Sequence, residues 1–183
     1  EGQQYDVDFE TRDDVTIPEY LKMIEYKTAV LVGAAMKMGA IVAETSEENA
    51  DLIYDFGLNL GIAFQLQDDY LDAFGNPETF GKQVGGDIIE NKKTYLYLKA
   101  MEFANEEDQQ QLLHLFSIQP TDNNDKIESV KTIFNVSGAS EATKKAIQDY
   151  TFKAFETLEK MDIEVEKKAI LKAFGENLMG RNV

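Results

Sequence analysis

The sequence predicts an all-α fold, a helical bundle, and three observations carry that expectation. Only Pro18, Pro77 and Pro120 interrupt the 183 residues, so long stretches can stay helical. Apolar residues recur at spacings of three and four, and no segment alternates as a half-buried strand would. Helix-start and helix-stop signals punctuate the chain at intervals that suit a bundle, and no internal repeat is present.

Residues 7–16 are acidic and polar and are expected to form a loop. Thr16-Ile17-Pro18-Glu19 reads as a capping box, with the proline early in the first turn, where its missing N–H matters little. The helix it opens should run through Lys27 to about Ile41, with an irregularity near Gly33. Thr45-Ser46-Glu47-Glu48 starts a second helix, "NADLIYDFGLNLGIAFQLQDDYLDAF", too long and too apolar for a surface helix. It should be buried on most sides, with Gly57 and Gly61 allowing neighbours to approach closely. Gly75-Asn76-Pro77 stops it. Residues 75–93 contain Gly75, Gly81, Gly85 and Gly86 and are expected to form a structured loop. Short helices should follow around 94–104, 106–117 and 124–136. Ile147, Tyr150, Ala154, Leu158 and Met161 mark an amphipathic helix, and a last helix should cover roughly 163–178.

The length allows one domain with a real core, or part of a larger one. Thirty-four acidic against 18 basic residues give a net charge of −16, which argues against binding nucleic acid or anionic lipid. An acidic chain can still hold an anionic substrate if metal ions and local cations reverse the field. The chain has no cysteine, which fits a reducing, cytoplasmic setting, and no apolar run approaches a membrane span. It opens on Glu1-Gly2-Gln3-Gln4, without Met or a signal-like segment, so an upstream part is expected to be missing.

Chemistry concentrates in "FQLQDDYLDAFGN", where Asp68, Asp69 and Asp72 stand in an oily helix. Asp68 and Asp72 are four apart and share a face, about 6 Å along the axis; Gln65 shares it, and Asp69 is offset by about 100°. Clustered carboxylates repel unless something positive joins them, and Mg²⁺ suits oxygen ligands and bridges to phosphate. Taken alone, a solvated acidic helix end explains these residues equally well. Nearby stand Gly81-Lys82 in the glycine-rich loop, Asp87, and "NKKT", Asn91 to Thr94, at a new helix start. A lysine beside a helix N-terminus adds its charge to the backbone dipole. Lys27-Thr28 leads into the apolar Ala29-Val30-Leu31-Val32, where a lysine either snorkels to solvent or serves an anion.

This ordered series, Phe64-Gln65, Asp68-Asp69-x-x-Asp72, Gly81-Lys82, Asp87 and Lys92-x-Thr94, resembles the second aspartate-rich region of trans-isoprenyl diphosphate synthases, the polyprenyl synthetase family. Its appearance is nearest to short-chain bacterial farnesyl or geranylgeranyl diphosphate synthases. Gly2-Gln3-x-x-Asp6, Tyr26-Lys27-Thr28 and the terminal Arg181 resemble further family segments, so the likeness spans nearly the whole chain. The resemblance implies the all-α isoprenoid synthase bundle, here its second half, with residues 1–183 the C-terminal part of a single domain. It implies condensation of an allylic diphosphate with isopentenyl diphosphate to a longer trans-prenyl diphosphate, dependent on Mg²⁺ or, alternatively, Mn²⁺. By resemblance Asp68 and Asp72 hold metal, with Asp69 and Asp87 directly or through water. Lys27, Lys82 and Lys92 would bind diphosphate oxygens. Thr28, the Lys27 carbonyl and Gln65 would stabilise the carbocation, and Gln3 and Asp6 would support the metal site or the substrate pocket. His114, the single histidine, is assigned no role.

Such synthases carry two aspartate-rich motifs on facing helices, and here only one has the right setting. Asp13-Asp14 lacks the spaced third acid and the arginines that follow the first motif, and the isopentenyl diphosphate cations are also missing. These residues alone are therefore expected to be inactive, and the full-length protein to be a homodimer. A non-catalytic partner subunit and a terpene cyclase-like enzyme are the rival readings. An EF-hand fails on the spacing of its acids.

Overall fold

A computed structural model describes residues 1–76 and 84–180, and among them every regular element is helical. The first is α1, Gly2–Glu10. Residues 7–10, expected in a loop, therefore belong to a helix. Tyr5 stacks on Phe9 with ring centroids 6.2 Å apart, and Gln4 Nε2 donates to Asp8 Oδ1 at 2.8 Å. Both are contacts one turn apart that hold a polar segment helical. The Thr16–Glu19 capping box is formed: the Thr16 amide and hydroxyl donate to the Glu19 carboxylate at 2.9 and 2.8 Å. It opens α2, Ile17–Ile24.

A π-helical turn, Glu25–Ala29, follows, with the Val30 amide donating to the Glu25 carbonyl five residues back. The helix then resumes as α3, Val30–Val42. The irregularity expected at Gly33 thus lies one to two turns earlier. Gly33 sits inside regular helix because a neighbour needs its space: a Cβ there would lie 2.8 Å from the Tyr54 carbonyl oxygen.

The long apolar segment forms α4, Glu47–Phe74. The remaining helices are α5, Gly86–Ile89, α6, Tyr95–Phe103, α7, Glu106–Leu115, α8, Asn124–Val136, α9, Ala139–Lys160, and α10, Val165–Met179. The stretch expected as loop at 75–93 therefore contains the short α5.

The described residues divide into two compact units. One comprises Glu1–Gln3, Leu21–Gln65 and the chain from Ala146 to the end of α10. Its core joins Ile53, Phe56 and Leu60 of α4 to Ala154 and Leu158 of α9 and to Met161, covered by Met36, Ala40 and Leu171. As the sequence suggested, glycines let backbones touch. A Cβ on Gly61 would lie 2.6 Å from Ala29 Cα, and one on Gly57 2.9 Å from Gly33 Cα. The other unit comprises Gln4–Tyr20 and Leu66–Lys145. Its fully buried side chains include Tyr20, Leu66, Leu71, Leu96, Leu112, Val130 and Phe134. Gln65 closes the α4 portion of the first unit and Leu66 opens that of the second.

Candidate functional site

The residues singled out in the sequence fall in both units. In the first, the π-helical turn carries Lys27 and Thr28, both half-buried. Single π turns inside helices concentrate at functional positions, because the wider turn takes carbonyls off the regular ladder. Thr28 Oγ1 donates to Gln65 Oε1 at 3.0 Å, so two residues paired in the sequence reading are joined in space. Gly2 closes on the same turn: a Cβ there would lie 2.2 Å from the Lys27 amide nitrogen, so no larger residue fits. Gln3, beside it, is exposed.

In the second unit α4 presents its three aspartates differently. Asp68 and Asp72 are half-buried on one face, while Asp69 is 9% exposed and its Oδ2 accepts a hydrogen bond from the Tyr20 hydroxyl. The aspartates therefore do not behave as one trio. Asp69 turns toward the core because of the 100° step between adjacent residues, about the offset expected of any helix. Tyr20 is fully buried, and its pKa is raised by burial and then by the charges of Asp69, Asp87 and Asp6. Asp6, half-buried on α1, thus adds to the same negative field.

The Asp72 carboxylate is perturbed upward. Burial first, and the charge of Asp87 second, push its pKa up to about 6, with Asp68 adding to the effect. The Asp87 amide donates to Asp72 Oδ2 at 2.9 Å, and Lys92 lies close enough to pull the value down. Lys92 Nζ meets Asp87 Oδ1 at 2.9 Å and Glu90 Oε2 at 2.8 Å. Its own burial, which favours the neutral amine, is outweighed by these partners, and the ammonium is stabilised. Lys82 and Gly81, like Pro77 and Arg181, lie outside the described residues. Asp13 and Asp14 are exposed; Asp14 pairs with Arg12 at 2.7 Å, and Asp13 lies 3.8 Å from Lys93. His114 is exposed on α7.

Among the described residues no three acidic, histidine or cysteine side chains form a preassembled metal cage. Mg²⁺ does not require one, since it binds through one or two carboxylates and completes its shell with water and substrate phosphates. Asp68 and Asp72 fit that role: the donors are all oxygen, and a hard cation would offset both the burial and the neighbouring acidic charge that lift the Asp72 pKa. Sequence reasoning missed Tyr20, whose hydroxyl partner is 49 residues away, and Lys126, described below. Burial of Tyr20 is legible in the spacing of Tyr20, Met23 and Ile24, but not its acidic partner.

Among the described residues the chain is all-helical, with the three aspartates on α4, and comparison with known proteins gives its family. The polyprenyl synthetase family model matches residues 1–136. The chain belongs to the polyprenyl synthetase family. It is 39% identical over 170 residues to the short chain isoprenyl diphosphate synthase of Methanothermobacter thermautotrophicus, covering 93% of this chain and 51% of that protein. A geranylfarnesyl diphosphate synthase of Natronomonas pharaonis is 49% identical over 100 residues, 55% of this chain and 29% of that one. A crystal structure of a geranylgeranyl pyrophosphate synthase superposes with TM-score 0.92 at 55% identity, covering 100% of this chain and 57% of the other. A geranylgeranyl pyrophosphate synthase of Corynebacterium glutamicum, complexed with isoprenyl diphosphate and magnesium, gives TM-score 0.89 at 27% identity, covering 99% and 51%. The chain thus spans about half the length of the Methanothermobacter protein and of the two solved structures. No helix among the described residues is long and apolar enough to cross a membrane.

Proposed function

We propose that this chain is the C-terminal half of a trans-prenyltransferase that condenses an allylic diphosphate with isopentenyl diphosphate, using Mg²⁺ or Mn²⁺. The observation that carries the reading is the Asp72 carboxylate, raised to about 6 by burial and by Asp87 and Asp68, beside the lysine of the NKKT turn. Concentrated carboxylate charge next to a stabilised ammonium suits a ligand that is itself a metal-bound polyanion. The magnesium and isoprenyl diphosphate bound to the Corynebacterium relative support the same chemistry. So do the calcium and isoprenyl diphosphate of the Caulobacter crescentus polyprenyl synthase, TM-score 0.88 at 28% identity.

In this reading Asp68 and Asp72 hold the ion. Asp69 and Asp87, already engaged with Tyr20 and Lys92 respectively, would assist directly or through water. When bound, Mg²⁺ supplies Lewis-acid neutralisation of the leaving diphosphate. Lys27, Lys82 and Lys92 bind diphosphate oxygens, and Lys92 exchanges its Asp87 and Glu90 contacts for substrate ones. Thr28 and Gln65, locked to each other at 3.0 Å, present oriented dipoles to the cation that develops, together with the Lys27 carbonyl. Gln3 and Asp6 support the metal site or the substrate pocket. No side chain is assigned as a general base. The names of the relatives favour a geranylgeranyl or geranylfarnesyl product over a farnesyl one. Incubating the intact synthase with Mg²⁺, isopentenyl diphosphate and an allylic diphosphate tests the reading. Chain elongation abolished by chelator is expected; cyclised hydrocarbon or no turnover would refute it.

A further inference from the structure

The first turn of α8 places a cation where the helix dipole disfavours one. Lys126 stands at the positive, N-terminal end of Asn124–Val136, yet it is only 2% exposed. Burial, and then the neighbouring Lys93, lower its pKa. Its ammonium donates to Asn91 Oδ1 at 2.6 Å and to the Ile118 carbonyl at 3.0 Å, and lies 6.0 Å from the Phe116 ring centroid.

Asn91 has a left-handed backbone, φ 58°, a conformation uncommon for residues other than glycine but tolerated by asparagine. The residue that leaves this turn is Lys92. Its amide donates to the Asp87 carbonyl at 2.9 Å, its ammonium meets Asp87 Oδ1 at 2.9 Å, and the Asp87 amide bonds Asp72 Oδ2 at 2.9 Å. The next side chain of α8, Ile127, meets the other end of α5. A Cβ on Gly85, whose φ is 88°, would lie 2.9 Å from Ile127 Cδ1. One turn of α8 therefore touches both ends of the segment that carries Asp87.

We infer that Lys126 is a positioning residue: by holding the Asn91 side chain it fixes the left-handed turn that sets Lys92 against Asp87. The consequence for catalysis rests on the prenyltransferase reading; the mechanical coupling does not. Lys126 reaches this segment through the Asn91 side chain.

The test uses the intact synthase and the variants Asn91→Gly, Asn91→Asp and Lys126→Met. Two readouts are taken: hydrogen exchange at the Lys92 amide, and kcat and KM for the allylic diphosphate with Mg²⁺. Asn91→Gly accepts the left-handed turn without strain but loses the anchor. It is expected to speed Lys92 exchange and to lower kcat/KM roughly ten- to hundredfold, the usual effect of losing a supporting partner. Asn91→Asp keeps an acceptor for the ammonium and should stay near wild type in both. In Lys92 exchange, Asn91→Gly and Lys126→Met combined should cost less than the sum of the single effects, because both break the Lys126–Asn91 bond. Unchanged exchange and kcat/KM in folded Asn91→Gly would overturn the inference, whether or not Lys126→Met folds. If the wild-type enzyme elongates no prenyl chain, the functional reading fails, and the exchange measurement still decides the coupling.

Discussion

Replacing Asp72 by asparagine should stabilise the metal-free protein while removing its activity. In the folded chain this carboxylate titrates at about 6 instead of 3.8, because burial and the charges of Asp87 and Asp68 disfavour its ionised form. A pKa raised on folding means that the folded state binds the proton more tightly than the unfolded state. The charged carboxylate therefore costs stability above about pH 6, and the cost fades as pH falls toward about 4, where both states are protonated. The full gap corresponds to about 3 kcal/mol, and partial solvent access reduces it to about 1–2 kcal/mol. Asparagine keeps an oxygen to accept the Asp87 amide and carries no charge, so most of this should be recovered. Urea unfolding with chelator present, at pH 7.5 and at pH 4.5, measures it. A gain of about 1–2 kcal/mol at the higher pH that shrinks at the lower one is expected. Destabilisation at pH 7.5, or an equal gain at both, would show that folding does not disfavour the ionised form of Asp72.

Three further outcomes follow from the same contacts. Asp68→Ala in the intact enzyme should lose orders of magnitude in turnover with its thermal midpoint retained; near-normal turnover would mean that the metal role is misassigned. Tyr20→Phe leaves Asp69 buried without its hydroxyl donor and should cost about 1–3 kcal/mol in denaturant unfolding at neutral pH. Gly61→Ala sets a methyl 2.6 Å from Ala29 Cα, so α4 and the Lys27–Thr28 turn must separate. Thermal unfolding should show a loss of about 1–3 kcal/mol, the usual cost of overpacking.

The parts of the fold legible in the sequence are those set by neighbours three or four residues apart. The Thr16–Glu19 box forms as read because all its groups lie within one turn. The extent of α4 and the close approach at Gly57 and Gly61 follow from an apolar run too wide for a surface stripe. The π turn at Glu25–Ala29 leaves no such signature, since the residues packed closely on it, Gly2 and Gly61, come from distant segments. Residues 7–10 look like a loop by composition, but Phe9, 6% exposed, anchors them. Within the candidate site, Asp68 and Asp72 declare themselves by their four-residue spacing. The distinct setting of Asp69 depends on Tyr20, and the turn at Asn91 on Lys126, 35 residues on. Partners at such separations cannot be inferred from one sequence.

The most direct measurement is a crystal structure of the intact synthase grown with Mg²⁺ and a non-reactive allylic thiodiphosphate. Metal density at about 2.1 Å from carboxylate oxygens of both Asp68 and Asp72, with Lys92 turned from Asp87 onto the diphosphate, is the expected result. An analogue bound with these two aspartates facing solvent and Lys92 still on Asp87 would contradict the account.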